Sequence, residues 1–285
     1  MSKKIQRFMP YGRQKIDNQD IRKVVSVLKN DLITQGNQIQ KFESGFSKYV
    51  GAKYAVACSS GTAALHLSCL ALGLGVGKSL LTTPISFVAT ANCAEFVGAK
   101  VIFSDIEKEY FCLSAEKLEQ TLKKKKIHTV ALVHMGGHSA DLYKIHKLKK
   151  KYKFNLIEDA CHGLGGTFNK KKIGACFYSD ISTFSFHPVK NITTGEGGMI
   201  TTNDKLIYEK LLLLRSHGIN KNKKKFVNKI LGFNKDKNLN PGYYEMVNLG
   251  FNYRITDFQA ALGLSQLSKL KKIIKRKREI AKIYN

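Results

Sequence analysis

One lysine of this chain occupies a position in which its amine could do chemistry. Lys190 follows an apolar run, rich in β-branched and aromatic types, that predicts a buried strand, and Pro188 ends that strand because proline has no backbone N–H to donate. A second apolar, threonine-rich run at 198–202 follows a glycine-rich turn, so the lysine is predicted on a tight connection between two strands. Such an amine is a candidate nucleophile for Schiff-base formation if its pKa falls from about 10.4. The alternative is a solvated side chain, since Lys190 is one of 41 lysines.

Two other segments could supply partners for this amine. Residues 54–58 predict a buried strand, followed at once by the turn Ser59-Ser60-Gly61-Thr62 and a run of helix formers. The free amides of a helix start can bind a phosphate, although a plain serine N-cap would produce the same pattern. Asp159 follows the predicted strand 154–157, where an aspartate most often only caps the next element. A phosphate anchor, a carboxylate and a lysine on one sheet edge are together the parts needed to hold pyridoxal 5′-phosphate (PLP).

The elements that must position these residues alternate along the chain. Strands are predicted at 54–58, 80–83, 100–103, 127–133, 154–157, 181–186 and 198–202, and helices at 61–72, 86–96, 114–122 and 141–152. This alternation predicts an α/β fold with a mostly parallel, mixed sheet and helices on both faces. Sheets of this kind bind ligands at the carboxyl ends of their strands.

The two ends of the chain are predicted to be helical. Amphipathic helices are predicted at 17–29 and 38–49, and a long helix capped by Thr256 or Asp257 is predicted to run to Asn285. The polar stretch 220–240 predicts a mobile loop. We therefore divide the chain into an N-terminal helical segment (1–50), a large α/β domain (51–255) and a long helix (256–285).

Composition excludes several classes of protein. At 285 residues and 43% hydrophobic, the chain can bury one large core or two modest ones. No run approaches the roughly 20 apolar residues of a membrane span, and residues 1–12 lack the apolar stretch of a signal peptide, so we expect a cytoplasmic protein with no membrane partner. Six scattered cysteines without a C-x-x-C fit reduced, buried thiols. His134 and His138 flank two glycines that disfavour a shared helical face, so no metal site is predicted.

The net charge of +27 does not by itself indicate a nucleic-acid partner. Only seven of the 48 basic residues are arginine, the side chain suited to bidentate contact with bases and phosphates. The lysine runs at 123–126 and 147–153 fall at predicted helix ends, and no helix-turn-helix or zinc-finger pattern accompanies them. We expect a general attraction for anionic small molecules or polyanions and no specific nucleic-acid binding.

Several segments in chain order resemble one family of enzymes, the DegT/DnrJ/EryC1/StrS aminotransferases. These segments are S-S-G-T-A-A-L at 59–65, T-P-I-S-F-V-A-T-A-N at 83–92, E-D-A-C-H-G-L-G at 158–165, F-S-F-H-P-V-K-N-I-T-T-G-E-G-G at 184–198 and G-F-N-Y-R-I-T-D at 250–257. The resemblance covers nearly the whole chain. It implies the large domain of a PLP-dependent transferase of fold type I, acting on sugars.

The resemblance assigns roles to individual residues. Lys190 is implied as the Schiff-base lysine, Asp159 as the partner of the pyridinium nitrogen and His162 as the neighbour of the cofactor's phenolic oxygen. Phe87 is implied to stack on the ring. The implied phosphate ligands are Gly61, Thr62 and Ser185 within the chain and Asn252 from a neighbouring subunit, so a homodimer is expected. The implied substrate contacts are Tyr11, Thr34, Gln35, Gly36, Ser60 and His187.

The activity implied is transamination of a nucleotide-linked 4-keto-6-deoxy sugar, with glutamate as amino donor. Within the family, the segments at 184–190 and 243–267 most resemble members that aminate a UDP-linked 4-keto-6-deoxy-N-acetylhexosamine for surface glycans. The alternatives are another 4-keto-sugar aminotransferase, acting on a UDP-pentose or a GDP-hexose, and a truncated, non-catalytic PLP-binding homologue. The second alternative follows from length, because the resemblance implies a small C-terminal domain past the final helix, and we expect that domain to be missing here. We accordingly expect poor turnover by the 285-residue form.

Overall fold

A seven-stranded sheet forms the centre of the computed structural model, which describes residue 10 and residues 12–284. The strands of the described chain are β1 (Tyr54–Cys58), β2 (Ser79–Thr82), β3 (Lys100–Phe103), β4 (Thr129–Val133), β5 (Asn155–Asp159), β6 (Thr167–Phe168), β7 (Lys171–Lys172), β8 (Ile181–Ser185), β9 (Gly198–Thr202), β10 (Ile219–Asn220) and β11 (Glu245–Met246). The large sheet has the order β1-β9-β8-β5-β4-β2-β3, and β6–β7 and β10–β11 form separate two-stranded ribbons.

All neighbouring strands in the large sheet are parallel except the two pairs made by β9. Strand β9 runs antiparallel to both β1 and β8, so the other six strands share one direction. The predicted α/β fold with a mostly parallel, mixed sheet is confirmed. One consequence is that the residues following β1, β5 and β8 all leave the sheet at the same carboxyl edge.

Helices cover both faces of this sheet. Their bounds are α1 (Asn18–Leu28), α2 (Asn37–Val50), α3 (Gly61–Ala71), α4 (Ala89–Glu95), α5 (Ala115–Lys124), α6 (Leu142–Tyr152), α7 (Lys205–Arg215), α8 (Lys229–Gly232) and α9 (Asp257–Tyr284). Single 3₁₀ turns lie at Met135–Gly137 and Lys223–Lys225. None of the described helices is both long and apolar enough to cross a membrane.

The core is divided by the sheet into two apolar layers. On one face, Phe42 and Phe46 of α2 pack against Phe184 and Phe186, with ring centroids 4.9–5.7 Å apart across the α2–β8 contacts. On the other face, apolar residues of α3 and α7 pack on β1, β8 and β9. The first layer therefore fixes the strand that leads to Lys190, and the second fixes the helix that starts at Gly61.

The N-terminal helices pack against the last helix of the chain. Lys269 of α9 forms ion pairs with Asp17 and Asp20 at the start of α1, at 2.6 and 2.8 Å. Asp17 also caps α1 by accepting hydrogen bonds from the amides of Gln19 and Asp20. The α1 N-terminus is thus joined to α9 by charge as well as by packing.

The polar stretch 220–240 differs from the predicted loop, because much of it forms short elements. It contains one 3₁₀ turn and α8, and β10 pairs with β11 beyond it. Asparagine side chains make these turns: Asn222 and Asn228 cap the two helical turns by accepting backbone hydrogen bonds. Phe226 is buried and packs against Phe233 and Tyr243, a local anchor that a count of polar residues does not reveal.

Candidate active site

Asp159 lies at the carboxyl end of β5 and is buried, with 4% of its surface exposed. Thr90 Oγ1 donates a 2.7 Å hydrogen bond to Oδ2, and the Cys161 amide donates a 3.2 Å hydrogen bond to Oδ1. Both carboxylate oxygens are therefore fixed in orientation. Asp159 is the last residue of the strand, two positions beyond the predicted strand end.

Lys190 and His162 lie close together at this edge. Lys190 follows β8 in a turn in which its amide donates to the His187 carbonyl at 2.9 Å. Burial, followed by the charge of Lys190, lowers the pKa of the half-buried His162. His162 Nδ1 is buried and has no hydrogen-bond partner among the described residues. The lowered pKa favours the neutral imidazole beside the lysine, and its buried Nδ1 is left without a protein partner.

The turn after β1 forms a cradle for an anion. Ser60 Oγ accepts from the Ala63 amide at 3.0 Å, so the serine N-cap expected as an alternative is present. The first amides of α3, those of Gly61 and Thr62, keep no partner within the helix. A Cβ on Gly61 would lie 2.8 Å from Ser185 Cβ and 3.2 Å from Ser185 Oγ. The helix start and the Ser185 hydroxyl therefore face one another, and the serine cap leaves room for an anion between them.

Two residues predicted at the cofactor have exposed side chains. Phe87 is 69% exposed and lies one turn before Thr90, whose amide donates to the Phe87 carbonyl at 3.1 Å. Asn252 is also exposed, and it forms an isolated bridge with Ser216. The next residue, Tyr253, accepts a 2.9 Å hydrogen bond from the Ser59 amide, which places this segment beside the cradle turn.

The predicted substrate contacts Thr34, Gln35 and Gly36 form a turn that ends at α2. Asp257 accepts hydrogen bonds from the amides of Gly36 (2.7 Å) and Gln38 (2.9 Å) and thereby caps α2. Gln35 and Gly36 line a cavity of about 490 Å³ whose lining does not include Lys190.

The remaining predicted substrate contacts differ in their structural positions and exposure. Ser60 is the N-cap of α3. His187 is exposed, and its Nδ1 accepts from the Val189 amide at 3.4 Å. Tyr11 lies outside the described residues.

Two residues that sequence reasoning missed belong to this site. Thr90 orients Asp159 and accepts a 2.7 Å hydrogen bond from Ser86 Oγ, but no local sequence pattern indicates its contact with a residue 69 positions away. Cys161 lies between Asp159 and the cradle, with Sγ 3.4 Å from the position of a Gly61 Cβ. Burial and the charge of Asp159 raise the pKa of the Cys161 thiol well above its usual value, so this thiol is not a reactive one.

The two histidines considered as metal ligands have separate partners. His134 Nε2 lies 2.9 Å from Glu158 Oε2 in the buried core, whereas His138 stacks on Tyr110 with ring centroids 5.0 Å apart. Within the described ranges, no group of three or more potential ligands is placed to hold a metal ion.

The residues at the carboxyl edge fit PLP. The acceptor carboxylate of Asp159, the unpartnered Nδ1 of His162 and the amide-and-hydroxyl cradle at Gly61 and Ser185 match the chemistry of its ring nitrogen, its phenolic oxygen and its phosphate. The amine of Lys190 completes the set. Fold and site together define a PLP-dependent transferase of the aminotransferase class.

The comparison with protein families agrees with this class. Residues 14–285 match the model of the DegT/DnrJ/EryC1/StrS aminotransferase family, and the chain belongs to that family. The family, and solved structures of its relatives in a PLP form, imply PLP as the cofactor.

Three similar proteins illustrate the relationship. The UDP-4-amino-4,6-dideoxy-N-acetyl-beta-L-altrosamine transaminase of Campylobacter jejuni (strain 81-176) is 41% identical over 277 residues, which are 96% of this chain and 68% of that protein. Helicobacter pylori PseC, described as an aminotransferase of pseudoaminic acid biosynthesis, superposes with a TM-score of 0.82 at 32% identity, covering 92% of this chain and 66% of that one. The putative sugar aminotransferase Spr1654 of Streptococcus pneumoniae, in its PLP form, gives 0.85 at 26% identity, covering 97% and 70%. The chain spans about two thirds of the length of these relatives.

The contact between Gly61 and Ser185 leads to a testable prediction. Gly61→Ala should weaken PLP binding about tenfold or more, because the added methyl displaces Ser185 from the cradle; each tenfold corresponds to about 1.4 kcal/mol. Gly75→Ala is the matched control, since its Cβ would meet nothing nearer than 3.7 Å. The dissociation constant of PLP is measured by fluorescence titration of both variants. If the Gly61→Ala protein and the parent bind PLP with equal affinity, the Gly61–Ser185 cradle does not hold the cofactor phosphate.

Proposed function

We propose that this chain transfers an amino group from glutamate, with PLP, to a UDP-linked 4-keto-6-deoxy-N-acetylhexosamine. The observation that carries the proposal is the convergence of Asp159, His162, Lys190 and the Gly61–Ser185 cradle on one sheet edge. The choice of sugar is supported by the 41% identical transaminase of C. jejuni, whose name specifies a UDP-linked 4-amino-4,6-dideoxy product. The product would be a 4-amino sugar for surface glycan biosynthesis.

Lys190 and Asp159 have the principal chemical roles in this proposal. The Lys190 amine would hold the cofactor covalently and, once released, move the proton of the amino donor's α-carbon. Asp159 would accept a hydrogen bond from the protonated pyridine nitrogen, with Thr90 and the Cys161 amide keeping its carboxylate in place. When bound, PLP supplies the electron sink that stabilises a carbanion next to the transferred nitrogen.

Other residues would bind and orient the ligands. The Gly61 and Thr62 amides and the Ser185 hydroxyl would hold the phosphate, and the exposed ring of Phe87 would cover the cofactor ring. The substrate would contact the residues that the family resemblance implies for it. These are Tyr11, Thr34, Gln35, Gly36, Ser60 and His187. The net charge of +27 favours the approach of a dianionic UDP-sugar.

The active unit in this proposal is a homodimer that shares its sites. The exposed side chain of Asn252 would reach across the subunit boundary and contact the cofactor phosphate bound by a second subunit. The adjacent Tyr253 carbonyl is hydrogen-bonded to Ser59, so the position of Asn252 is tied to the cradle turn of its own subunit.

The proposal predicts covalent attachment of PLP and a defined reaction. Protein incubated with PLP and reduced with borohydride should carry the pyridoxyl label on Lys190, located by peptide mass spectrometry. With glutamate and the UDP-4-keto sugar it should form the 4-amino sugar, and Lys190→Ala should lower kcat by about 10²- to 10⁴-fold, the usual contribution of a general acid–base group. A GDP-linked 4-keto-hexose serves as the comparison substrate. Folded protein that is labelled elsewhere, or that prefers the GDP sugar, would contradict the assignment.

Removing the charge of Asp159 tests the cofactor partner. We expect Asp159→Asn to keep the fold and bind PLP but to lose transamination by about 10²-fold or more, because the pyridine nitrogen loses the carboxylate that keeps it protonated. Asp180→Asn is the control, since Asp180 pairs with Lys149 at 3.1 Å near the opposite end of the sheet. The measurement is the single-turnover rate of glutamate deamination. Turnover near that of the parent would sink the role given to Asp159.

A shared site can be tested by mixing two impaired proteins. Lys190→Ala and Asn252→Ala should each be weak alone. A mixed dimer holds one native site of two, and half of the dimers are mixed at a random 1:2:1 distribution, so the mixture should recover up to about a quarter of the parent activity. Activity is measured after the two proteins exchange subunits, with Lys190→Ala mixed with itself as control. A mixture that shows only the sum of its components would contradict the contribution of Asn252 in trans.

A further inference from the structure

A second, strongly basic cavity lies at the end of the sheet opposite Lys190. Its volume is about 740 Å³, and it contains Thr129 and Asn155, the first residues of β4 and β5. Asp159 lies at the other end of β5, so four residue steps of about 3.3 Å place the two sites roughly 13 Å apart. This cavity is therefore separate from the site assigned to the cofactor.

The lining of this cavity is cationic and free of carboxylates. Its lysines are Lys78, Lys123, Lys124, Lys125, Lys126 and Lys153, and no aspartate or glutamate lines it. Across the described ranges, none of these six lysines has an ion-pair partner. A different cavity of about 820 Å³ beside α5 and α6 mixes two lysines with four carboxylates. Since the same lysine-rich chain builds both cavities, high lysine content alone does not explain the uniform charge of the first.

The segment that carries Lys126 and His128 is held against Ser79 by hydrogen bonds. Ser79 Oγ donates to the Lys126 carbonyl at 3.0 Å, and the Ser79 amide donates to His128 Nδ1 at 3.2 Å. His128 therefore carries its proton on Nε2 when neutral and keeps one donor nitrogen. Burial, followed by the charges of Lys126 and Lys78, lowers the pKa of His128, which agrees with the closeness of both ammonium groups to the ring.

We propose that this cavity binds a multiply charged phosphate anion, a free diphosphate or the diphosphate of a nucleotide. Its volume falls within the range of small-molecule sites. The six lysines are exposed and share this concave surface without a counter-charge, and Lys78 Nζ also donates to the Gly73 carbonyl. Their summed positive potential favours a compact polyanion, most strongly at low ionic strength. A diphosphate has enough charge to engage Lys78 and Lys126 at once and accept a hydrogen bond from His128.

The test is calorimetric titration of the PLP-loaded chain with inorganic pyrophosphate at low ionic strength. We expect saturable binding that Lys78→Gln/Lys126→Gln weakens at least tenfold and that Lys78→Arg/Lys126→Arg retains. The His128 ring resonance, assigned with His128→Gln, should shift on binding. Lys144→Gln/Lys147→Gln, which removes the same charge from the mixed cavity, should change the affinity less than twofold.

Three results would overturn the proposal: no saturable binding, equal losses in the two glutamine pairs, or loss of binding in Ser185→Ala, which would place the anion in the cofactor cradle. A parallel titration with UDP distinguishes the two sources of the diphosphate. Only the UDP binding that is lost in Lys78→Gln/Lys126→Gln is attributed to this cavity. UDP and pyrophosphate of equal affinity indicate a free diphosphate, and tighter UDP indicates a nucleotide.

Discussion

The site depends on the insertion of β9 between β1 and β8 in antiparallel orientation. Gly198 is paired with Cys58 on one side and with Ser185 on the other, so these two residues lie about 10 Å apart across a single strand. The chain segments that leave β1 and β8 therefore emerge side by side. A Cβ at Gly198 would overlap the Ser60 carbonyl, so the turn and the strand can approach only because this residue has no side chain. The contact between Gly61 and Ser185 follows from that register.

A second constraint ties the site segments to the start of α9. The Asp257 carboxylate caps α2 and accepts a hydrogen bond from the Gly36 amide. Gln259 Nε2 donates a 3.0 Å hydrogen bond to the carbonyl of Glu196, which lies on the connection that carries Lys190. Just upstream, the Tyr253 carbonyl binds the amide of Ser59. The turn after β1, the connection that carries Lys190 and the turn before α2 thus share one neighbour. The segment 250–259 sets their spacing although it contributes little to the cluster around Asp159.

Charged residues are arranged differently at the two edges of the large sheet. At the carboxyl edge, single charged groups are matched to neutral or hydrogen-bonding neighbours, as with Asp159 between Thr90 and the Cys161 amide. At the opposite edge, lysines gather around one cavity without a counter-charge in its lining. Exposed lysines at a helix end cost little, so a chain can accumulate them there without disturbing the carboxyl edge of its sheet.

The sequence by itself determined the order of strands and helices along the chain, the fold class and the position of Lys190 just after a strand, because hydrophobic periodicity and proline or glycine punctuation are local properties. It also indicated that Asp159 and Ser60 end or follow strands, and a serine cap and a phosphate anchor remained alternatives. Only the tertiary structure decided that the cap forms and that the start of α3 lies against Ser185, an arrangement that leaves the phosphate anchor compatible with the cap. Thr90 and Cys161 could not be recognised in advance, because their role arises from contact with Asp159 across 69 residues and from a turn around it. The packing of Phe226 in the polar stretch was hidden for the same reason: burial is set by distant neighbours, whereas composition counts only adjacent residues.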